Sequence, residues 1–528
     1  MAEKLQVLAQ RVYTELKAGT ITTAFELDQR KRVLANGLQI HALPTNPDLL
    51  PIVQQNCGTL THAEEKLFSI KPIRNISGVA VLAAMVKPHM CPHGTCIYCP
   101  KGIHHPAPPA YTGDEPAAQR GYRNEFDAFR QVTSRIKQLN ATGQSTEKCE
   151  LIIMGGTFLS MPENYQFEFM QGCLDGISGE KHANLADAVA ACETSPNRVI
   201  GITMETRPDV AKLSDIQRML QWGTTRVEMG VQSVYDDVLE KLNRQHTVQT
   251  TIDSTQRLKD SCLKVGYHMM AKLPHSTLER DMQAHLEIFS NPDFRPDMVK
   301  FYPVAVVQNT ALYKMWERGE YAEMTMEEAI QFYSKLKPQI PEWVRIMRVQ
   351  RDIPTQNISA GVKKTNLRQE VQMHMKELGI RCRCIRCREV GFKHQNEGIW
   401  PNEVELVTRT YEASNGLEYF ISAEDVAQDI LVGFVRLRIP KQAALPELEN
   451  SAFVRELHVY GQSIPLGEMK EKSGQHKGWG KKLMAESERI ARDEHGMDAM
   501  NIIAGIGVRE YYKKMGYVQN NAFVKKKL

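Results

Sequence analysis

Six short apolar runs alternate with segments of helical periodicity between residues 76 and 330, and this alternation restricts the fold more than any other feature of the chain. The strand candidates, in chain order, are residues 79–86, 149–158, 198–206, 226–233, 263–274 and 297–306. Strands that alternate with helices pair in parallel, because each crossover helix returns the chain to the same end of the sheet. The pattern therefore predicts an α/β fold whose parallel sheet is closed, or partly closed, into a (β/α)6 barrel.

Three cysteines with the spacing C-x4-C-x2-C, Cys91, Cys96 and Cys99, follow the first predicted strand. Two prolines and a glycine within the motif indicate a loop, and the loops that follow barrel strands build active sites. Thiolates this close suit three ligands of an iron–sulfur cluster. A 4Fe–4S cluster with three protein thiolates keeps one iron open, where S-adenosylmethionine binds in radical enzymes.

Two other interpretations of this motif stay open, a zinc knuckle and a group of core cysteines. His89, His93, His104 and His105 are nearby zinc ligands of the right type. The chain has 11 cysteines, an odd number that suits metal binding in a reducing cytoplasm better than a disulfide framework. No run of 18 apolar residues predicts a membrane span, and the N-terminus lacks the apolar core of a signal peptide. We expect a cytoplasmic protein without a membrane partner.

A second cysteine group, Cys382, Cys384 and Cys387, has the spacing C-x-C-x2-C. Three such ligands suit a structural zinc whose fourth ligand is distant in sequence, and His374 and His394 are candidates by nearness only. The alternative is a set of unliganded surface cysteines among arginines, which would be reactive.

The segment 335–393 contains 14 Lys or Arg against 5 Asp or Glu, although the whole chain has a net charge of only +4. Such a segment forms either a solvated face or a groove that binds nucleic-acid phosphates. The groove interpretation assigns phosphate contacts to Lys363, Lys364, Arg368, Arg381 and Arg383. A smaller basic patch at 30–32 lies in an N-terminal extension that we expect to lack a full core of its own.

Residues 396–528 show four strand candidates, a glycine-punctuated turn that opens an amphipathic helix, then a strand and a short helix. This order is typical of a GNAT-type acetyl-CoA fold. Backbone N–H groups at such a turn can bind a pyrophosphate. Tyr511 and Tyr512 on the last helix point about 100° apart, so at most one faces the core. The other can offer its hydroxyl to a thioester.

Motifs along nearly the whole chain resemble the catalytic third subunit of Elongator in its single-protein prokaryotic form. They include MGGTF, METRPD, VEMGVQS, RCREVG, ELHVYG, QHKGWG and VREYYKKMGY. The resemblance implies a radical S-adenosylmethionine barrel followed by an α+β GNAT-type domain. It divides the chain into an N-terminal basic tRNA-binding extension (1–75), the barrel (76–330), a basic linker with a zinc site (331–395) and an acetyl-CoA-binding domain (396–528).

The resemblance also implies an activity, tRNA carboxymethyluridine synthase. In this family a 5′-deoxyadenosyl radical takes a hydrogen from the methyl group of acetyl-CoA, and the resulting carbon radical adds to carbon 5 of the wobble uridine, position 34. Thioester hydrolysis then leaves a carboxymethyl group. The implied partners are the tRNA anticodon stem-loop, an electron donor, and either Elongator-like subunits or a second copy in a homodimer.

Site residues follow from the matching motifs. The cluster ligands are the three cysteines of the first motif, and the zinc ligands are those of the second. The residues that match the S-adenosylmethionine site are Gly155, Gly156, Thr157 and Glu205. The residues that match the acetyl-CoA site are Lys148, Glu456, Leu457, His458, Val459, Gln475, Gly478, Trp479, Gly480, Lys481 and Tyr512, of which Lys148 and Tyr512 are the catalytic candidates. Because these two lie in different domains, a shared acetyl-CoA predicts two active sites that face each other, with a short path between them.

The chain departs from the family pattern at four positions on barrel loops. Lys101 and Gln245 stand where the family has glycine, and Lys272 and Gln308 lie in segments that differ from the usual forms. Two rival functions remain: a protein lysine acetyltransferase with a vestigial barrel, for which Glu456 would be the general base, and a tRNA-binding scaffold without activity.

Overall fold

The computed structural model describes residues 2–40, 43–61, 64, 67, 68, 78–103, 105–460 and 478–528. The strands are β1 (Ala80–Met85), β2 (Lys148–Met154), β3 (Arg198–Thr206), β4 (Arg226–Gln232), β5 (Lys264–Ala271), β6 (Met298–Pro303), β7 (Val306–Val307), β8 (Arg345–Arg348), β9 (Ile358–Ala360), β10 (Glu405–Ala413), β11 (Gly416–Asp425), β12 (Ile430–Pro440), β13 (Ser451–Val459), β14 (Ala499–Ile502), β15 (Val518–Asn520) and β16 (Phe523–Lys527).

The helices are α1 (Ala2–Lys17), α2 (Ala24–Gly37), α3 (Asn46–Asn56), α4 (Pro116–Arg123), α5 (Ala128–Ala141), α6 (Glu163–Ser178), α7 (Leu185–Thr194), α8 (Leu213–Gln221), α9 (Asp236–Lys241), α10 (Val248–Asp260), α11 (Leu278–Ser290), α12 (Ala311–Glu317), α13 (Met326–Leu336), α14 (Leu367–Glu377), α15 (Ile385–Arg388), α16 (Val390–Glu397), α17 (Trp479–Arg489) and α18 (Arg509–Lys513). None of the described helices is long and apolar enough to cross a membrane.

The first sheet is parallel throughout, with the order β1-β2-β3-β4-β5-β6-β8. This confirms the predicted partial barrel and adds a seventh strand, β8, beyond the six that the sequence pattern indicated. Its four residues are too few to show a periodicity of their own. The sheet remains open between β1 and β8. On the β1 edge, the buried Gln131 side chain accepts a hydrogen bond from the Met85 N–H and donates one to the Met85 carbonyl, which satisfies backbone groups that a closing strand would have paired.

The three N-terminal helices pack against one another around a separate hydrophobic core. Leu8 and Val12 of α1, Leu27 of α2 and Val53 of α3 have no exposed surface. The N-terminal extension therefore has a hydrophobic core of its own, which we did not expect from the sequence. Helical periodicity shows which residues face inward, but not that three short amphipathic helices cover one another's apolar faces.

The second sheet has the order β10-β11-β12-β13-β14-β16-β15 and is antiparallel except between β13 and β14. These two strands pair only from Ser451 to Val454 of β13. A bulge at Arg455 shifts the register against β12 at this point, and bulges bend a strand and re-aim a side chain. The rest of β13, 455–459, has no β14 partner in the described chain. This open half contains four of the predicted acetyl-CoA residues.

A network of buried charges joins the two sheets. The barrel contributes Lys259 and Asp260 at the end of α10 and Asp297 just before β6, and the second sheet contributes Glu418, Arg436, Arg438 and Arg455. Arg455 donates to both oxygens of Asp297 at 2.6 and 2.7 Å and to Glu418 at 2.7 Å. Arg438 donates to Asp260 at 2.5 Å and to Glu418 at 2.9 Å.

Apolar packing continues across the same interface. Phe453, Ile503 and Ile506 of the second domain belong to the hydrophobic core of the barrel. At Gly505, a Cβ atom would lie 2.1 Å from the Ile200 carbonyl oxygen, so the two backbones meet with no room for a side chain. The two domains therefore share one hydrophobic core and cannot be treated as independent domains joined by a linker.

We expect Arg455→Met to lower the free energy of unfolding by about 3–5 kcal/mol, because it leaves Asp297 and Glu418 buried without their shared cation. Urea unfolding followed by circular dichroism measures the loss. The matched control is Arg318→Met, which removes an exposed arginine paired with Glu320 and should barely move the urea midpoint. Equal losses in the two variants would contradict the importance of the buried network.

Candidate active site

The cysteine loop opens into a cavity of about 790 Å³ at the carboxyl end of the barrel strands. Cys91, Cys96 and Cys99 all line it. The Thr157 hydroxyl lies 3.3 Å from Cys91 Sγ, and the Ala110 N–H donates to Cys99 Sγ at 3.2 Å. Burial raises the pKa of the Cys91 and Cys99 thiols.

Cationic groups surround the middle cysteine. Arg244 Nη1 donates to Cys96 Sγ at 3.5 Å. His93 Nε2 lies 3.3 Å from the same sulfur and 2.9 Å from Arg207 Nη1. Burial lowers the pKa of His93 to about 4, and both arginines add to the shift. Two buried arginines beside a thiol suit a site that carries negative charge, as a thiolate-ligated cluster does.

The loop does not have the geometry of a single zinc ion. In the described part of the chain, two sets of three ligating side chains bring their donor atoms within 4.8 Å of one another, and the loop cysteines form neither set. Thiolates that bind different irons of one cluster lie farther apart than thiolates that share one ion. His104, one of the possible zinc ligands, lies outside the described residues.

Three of the four predicted S-adenosylmethionine residues, Gly156, Thr157 and Glu205, line the same cavity as the cysteines. Gly155 and Gly156 form the turn after β2 with φ of +140° and +77°, and a Cβ on Gly155 would lie 2.2 Å from Val86 Cγ2. Thr157 is fully buried. Glu205, near the end of β3, accepts a hydrogen bond from the Tyr111 hydroxyl at 2.8 Å. A motif with no spacing relation to the cysteines is thus brought beside them by the parallel pairing of β1 and β2.

Three of the four departures from the family pattern have left-handed backbone. Lys101, Gln245 and Lys272 have φ of +52°, +50° and +64°. Glycine adopts this region without strain, so the two positions where the family has glycine keep a glycine-like backbone with a larger side chain. Gln308 follows β7 and is exposed.

The predicted acetyl-CoA residues of β13 face the amino ends of the barrel strands. Burial lowers the pKa of His458 to about 4, Glu456 opposes the shift, and the charges of Lys264 and Lys148 reinforce it. These two lysines begin β5 and β2. The Lys148 side chain is exposed, yet desolvation by the surrounding protein and the charge of Arg198 lower its pKa. The structure thus brings Lys148 close to the open half of β13.

The glycine turn begins α17. Gly478 has φ of +71°, and no side chain caps the helix. A Cβ on Gly480 would lie 2.4 Å from the Tyr511 hydroxyl oxygen, so this tyrosine covers the turn. Trp479 is buried and Lys481 is exposed. Gln475 lies outside the described residues.

The two neighbouring tyrosines have different positions, as their spacing predicted. Tyr512 is 6 % exposed and Tyr511 is 40 % exposed. Burial raises the pKa of Tyr512, and the charges of Tyr511, Cys262 and Glu456 add to the shift. In the described chain no group hydrogen-bonds the Tyr512 hydroxyl, which leaves it free for a ligand. Tyr512 is therefore the inner tyrosine, and it belongs to the hydrophobic core of the second domain together with Leu483 and Met484 of α17.

The two sets of site residues lie at opposite ends of the barrel. Strand β2 begins at Lys148 and ends at Met154, just before the Gly155 turn. Seven strand residues span about 20 Å. The domains do face each other, but the second domain meets the amino ends of the strands and the cysteine loop lies at their carboxyl ends. A path between the two sites would have to span the length of the barrel strands, and the short path stays a prediction.

Sequence reasoning missed a row of charged residues inside the barrel. Glu150, Arg226, Glu228, His268 and Lys300 lie on inward-facing positions of β2, β4, β5 and β6. Burial alone would raise the pKa of Glu228, but Lys300 and Arg226 outweigh it and hold that pKa well below its usual range. The signal was available, since Arg226 and Glu228 alternate with apolar residues and so share one face of β4.

The second cysteine group is preassembled. The sulfurs of Cys382, Cys384 and Cys387 lie within 4.8 Å of one another. The Ile385 N–H donates to the Val344 carbonyl at 3.0 Å, which holds the group beside the start of β8. Thiolates around one tetrahedral zinc stand about 3.8 Å apart, so the arrangement fits one ion.

Neither candidate for a fourth ligand belongs to this set. His374 Nδ1 lies 3.7 Å from a Glu377 oxygen, and the His394 ring stacks on Trp400 at 4.1 Å. Nearness in sequence was a poor guide here, because both histidines are on helices whose direction the sequence does not define.

Only some of the cations of the basic stretch, 335–393, are exposed to solvent. Lys363, Lys364 and Arg381 are exposed. Arg383 forms ion pairs with Asp429 and Glu342, and Arg368 donates to the Ile346 carbonyl at 3.2 Å. A count of cations therefore overstates the charge available to a nucleic acid.

Comparison with known proteins agrees with this architecture. The Radical SAM superfamily matches residues 85–287, and the Radical_SAM C-terminal domain matches residues 296–377. The latter range includes β8 and most of the basic stretch.

Relatives match over the whole length. A tRNA uridine(34) acetyltransferase of Methanocaldococcus jannaschii is 45% identical over 100% of this chain and 98% of its own. Elongator complex protein 3 of Drosophila melanogaster is 41% identical over 99% of this chain and 96% of its own. The solved structure of the archaeal Methanocaldococcus infernus Elp3 with an N-terminal deletion is 44% identical, covers 86% of this chain and 100% of its own, and superposes with a TM-score of 0.77. The chain therefore belongs to the family of the tRNA uridine(34) acetyltransferases and Elongator complex protein 3.

Proposed function

We propose that this protein modifies the wobble uridine, position 34, of tRNA, and that it forms 5-carboxymethyluridine from acetyl-CoA with S-adenosylmethionine as the radical source. The observation that carries the proposal is the joint arrangement of the two sites. The barrel that contains the cysteine cavity and the second domain that contains the open half of β13 share a hydrophobic core and a network of buried charges. The names of the full-length relatives support tRNA uridine as the substrate.

The radical SAM domain implies a 4Fe–4S cluster and S-adenosylmethionine. Cys91, Cys96 and Cys99 would hold the cluster, and the Gly155–Gly156 turn with Glu205 would hold S-adenosylmethionine. When bound, this pair supplies a radical strong enough to take a hydrogen from an unactivated methyl group. The chain itself contributes buried cations beside the thiolates, hydrogen bonds to their sulfurs and a cavity that limits the access of water.

The C-terminal domain would bind acetyl-CoA along the open half of β13. Backbone N–H and C=O groups that β14 leaves unpaired can bond the amides of the pantetheine arm, and the free N–H groups at the start of α17 can bind the pyrophosphate. Lys148 would contact the ligand from the barrel side. The Tyr512 hydroxyl, which no group of the described residues hydrogen-bonds, would donate to the thioester.

For tRNA, the exposed cations of the basic stretch are the candidate contacts. Lys363, Lys364 and Arg381 present charge that can pair with phosphates of the anticodon stem-loop. All 11 cysteines are free thiols, which suits a reducing cytoplasm. An electron donor is required, and Elongator-like subunits or a second copy of the chain complete the set of proposed partners.

We also propose a structural zinc at Cys382, Cys384 and Cys387. The support is their mutual spacing and the position of the group, which is joined to β8 by the Arg345–Glu389 ion pair at 2.8 Å and to β12 by the β-bridge between Glu389 and Leu431. A metal here would fix the segment that carries the exposed cations.

The rival function, a protein lysine acetyltransferase, has weaker support. Its general base would be Glu456, but this carboxylate accepts a hydrogen bond from Arg436 at 2.9 Å. Burial alone would raise its pKa, yet Lys264 and Arg436 outweigh burial and lower it. A carboxylate held in this ionised form is a weak base for an amine.

Cys96→Ala should abolish formation of 5-carboxymethyluridine and lower the iron content, because two thiolates hold a cluster poorly. The measurement is mass spectrometry of nucleosides after incubation of tRNA with protein, acetyl-CoA, S-adenosylmethionine and a reductant, with iron analysis alongside. Cys57→Ala, outside both cysteine groups, is the control and should keep iron and product. Full product formation by the Cys96 variant without iron would end the radical proposal.

Lys148→Ala should weaken binding of acetyl-CoA by about tenfold to a hundredfold, since a hydrogen bond to a charged group contributes about 1.5–3 kcal/mol. Calorimetric titration with CoA measures the affinity, and reductive cleavage of S-adenosylmethionine should persist. Lys137→Ala, an exposed lysine on α5, should leave the affinity unchanged. If both variants bind CoA like the wild type, Lys148 is not part of the site.

Cys384→Ser should release zinc and lower the melting temperature, because a structural metal contributes directly to folding. Elemental analysis and thermal unfolding test this together, with Cys57→Ser as the control. Normal zinc content with normal melting, or iron in place of zinc, would remove the proposed zinc site.

A further inference from the structure

The two sites are separated, and the proposed function does not say how the acyl group passes from one to the other. The acyl carbon of an acetyl-CoA bound on β13 lies near the amino ends of the barrel strands. The cysteine loop lies about 20 Å away along β2. If the methyl group is to react at the cysteine end, some route must connect the two ends.

The inside of the barrel differs from a packed barrel core. In closed βα barrels the interior is filled by bulky branched side chains. Here β4 presents Arg226 and Glu228 inward, and β6 presents Lys300. Two inward positions, Gly201 on β3 and Gly266 on β5, have no side chain. Gly266 pairs in register with Glu228, and a Cβ atom on Gly266 would lie 3.2 Å from Glu228 Cγ.

The charged side chains form one continuous row. Lys264 at the amino end is close enough to Glu456 of the second domain to lower its pKa. Arg226, in register with Lys264, contacts Glu150 at 2.5 Å and Glu228 at 3.3 Å.

From Glu228 the row continues to the cavity. Glu228 forms an ion pair with Lys300, and Lys300 Nζ lies 3.5 Å from Glu205. Glu205 accepts from Tyr111, which lines the cavity with the three cysteines. Contacts between polar groups thus lead from Arg226 to the cysteine cavity, and Lys264 lies beside Arg226 at the amino end of the row.

Some buried polar atoms of this row form no well-aligned hydrogen bond among the described residues. Within the described chain, Nε and Nη2 of Arg226 and Oε1 of Glu228 are buried and have no hydrogen bond of good geometry. Buried polar atoms of this kind normally bond to ordered water or to a ligand. These same atoms form the ion pairs of Arg226 with Glu150 and Glu228, which therefore lack the alignment of full hydrogen bonds.

The cavity itself extends toward the same end. Its lining includes Cys99 at one end and, at the other, Leu139 of α5 and Gln144. Gln144 precedes Lys148, the first residue of β2, by four positions. The cavity reaches from the cysteine loop to the Glu228 and Lys300 side chains inside the barrel, and its lining does not include Arg226 or Glu150.

We infer that the inner face of the barrel is a passage for the acyl end of a CoA thioester, closed at its amino end by the ion pairs of Arg226 with Glu150 and Glu228. The inference rests on the proposed acetyl-CoA site and specifies the route from that site to the cysteine cavity. Arg226 acts as a positioning residue. When its guanidinium group releases the two carboxylates and binds the thioester oxygen and water instead, the acyl group advances along β2 and β4.

A cysteine inside the passage tests the route directly. Thr203 is fully buried, lies on the inner face of β3 and donates to Glu150 at 2.9 Å. In Thr203→Cys, the new thiolate can displace bromide from bromoacetyl-CoA, so that a C–S bond forms at the methyl carbon as the C–Br bond breaks. The matched control is Ile202→Cys, equally buried but on the opposite face of the same strand.

The full-length protein with its cluster is treated with bromoacetyl-CoA, and peptide mass spectrometry measures labelling at each introduced cysteine. We expect labelling at Thr203→Cys to exceed that at Ile202→Cys by about tenfold or more, because reaction follows access to the thiolate. Excess CoA should suppress it, which excludes entry from the open side of the barrel. Native Cys149, on the outer face of β2, should stay unlabelled.

Two outcomes overturn the inference, and they are distinguishable. If calorimetry shows that CoA binds but Thr203→Cys stays unlabelled, the passage is wrong and the acetyl-CoA site stands. If CoA does not bind at all, the proposed site and the passage fail together. Thermal unfolding checks that both variants are folded. Should Thr203→Cys not fold, Ala83→Cys, which lines the cavity, and Ala84→Cys, its outward-facing neighbour, give the same comparison.

Discussion

Arg455 holds the two halves of this protein in one arrangement, and both candidate sites depend on it. Its guanidinium group bonds both oxygens of Asp297 and also Glu418. All three side chains are fully buried. A buried ion pair adds little over an apolar contact of the same shape, but an arrangement that leaves one charge unpaired is strongly destabilised. The network therefore favours one docking of the domains over all shifted alternatives.

The backbone at Arg455 links this docking to ligand binding. The bulge at this residue turns its side chain toward the barrel, and immediately after it β13 separates from β14. The same irregularity thus anchors the interface and exposes the strand edge proposed to bind the pantetheine arm. Because the anchor and the open edge are consecutive residues, the edge is placed against Lys148 and Lys264 with little freedom to shift.

Charged side chains inside the barrel cost free energy, and this cost indicates that they have a function. Each buried charge loses hydration that its neighbours must replace, and an apolar filling would be at least as stable. The barrel keeps Arg226, Glu228 and Lys300 inside even though, among the described residues, some of their polar atoms form ion pairs without a well-aligned hydrogen bond. Departures from the usual core of a fold of this kind are expected at functional sites, and here the departure lies on the line between two sites.

Local patterns in the sequence determined much of this protein. The strand and helix order of the barrel, the loop position of Cys91, Cys96 and Cys99, and the inward position of one of two adjacent tyrosines follow from periodicity and spacing, because these act over a few residues. The tertiary structure alone decided the rest: β8 as a seventh strand, the opposite placement of Lys148 and the cysteine loop, the pairing of Arg383 with acids instead of phosphates, and the bond between Arg455 and Asp297. Those two residues are 158 positions apart in the chain. Contacts at such separations depend on how whole elements pack, and no local pattern of side chains encodes that geometry.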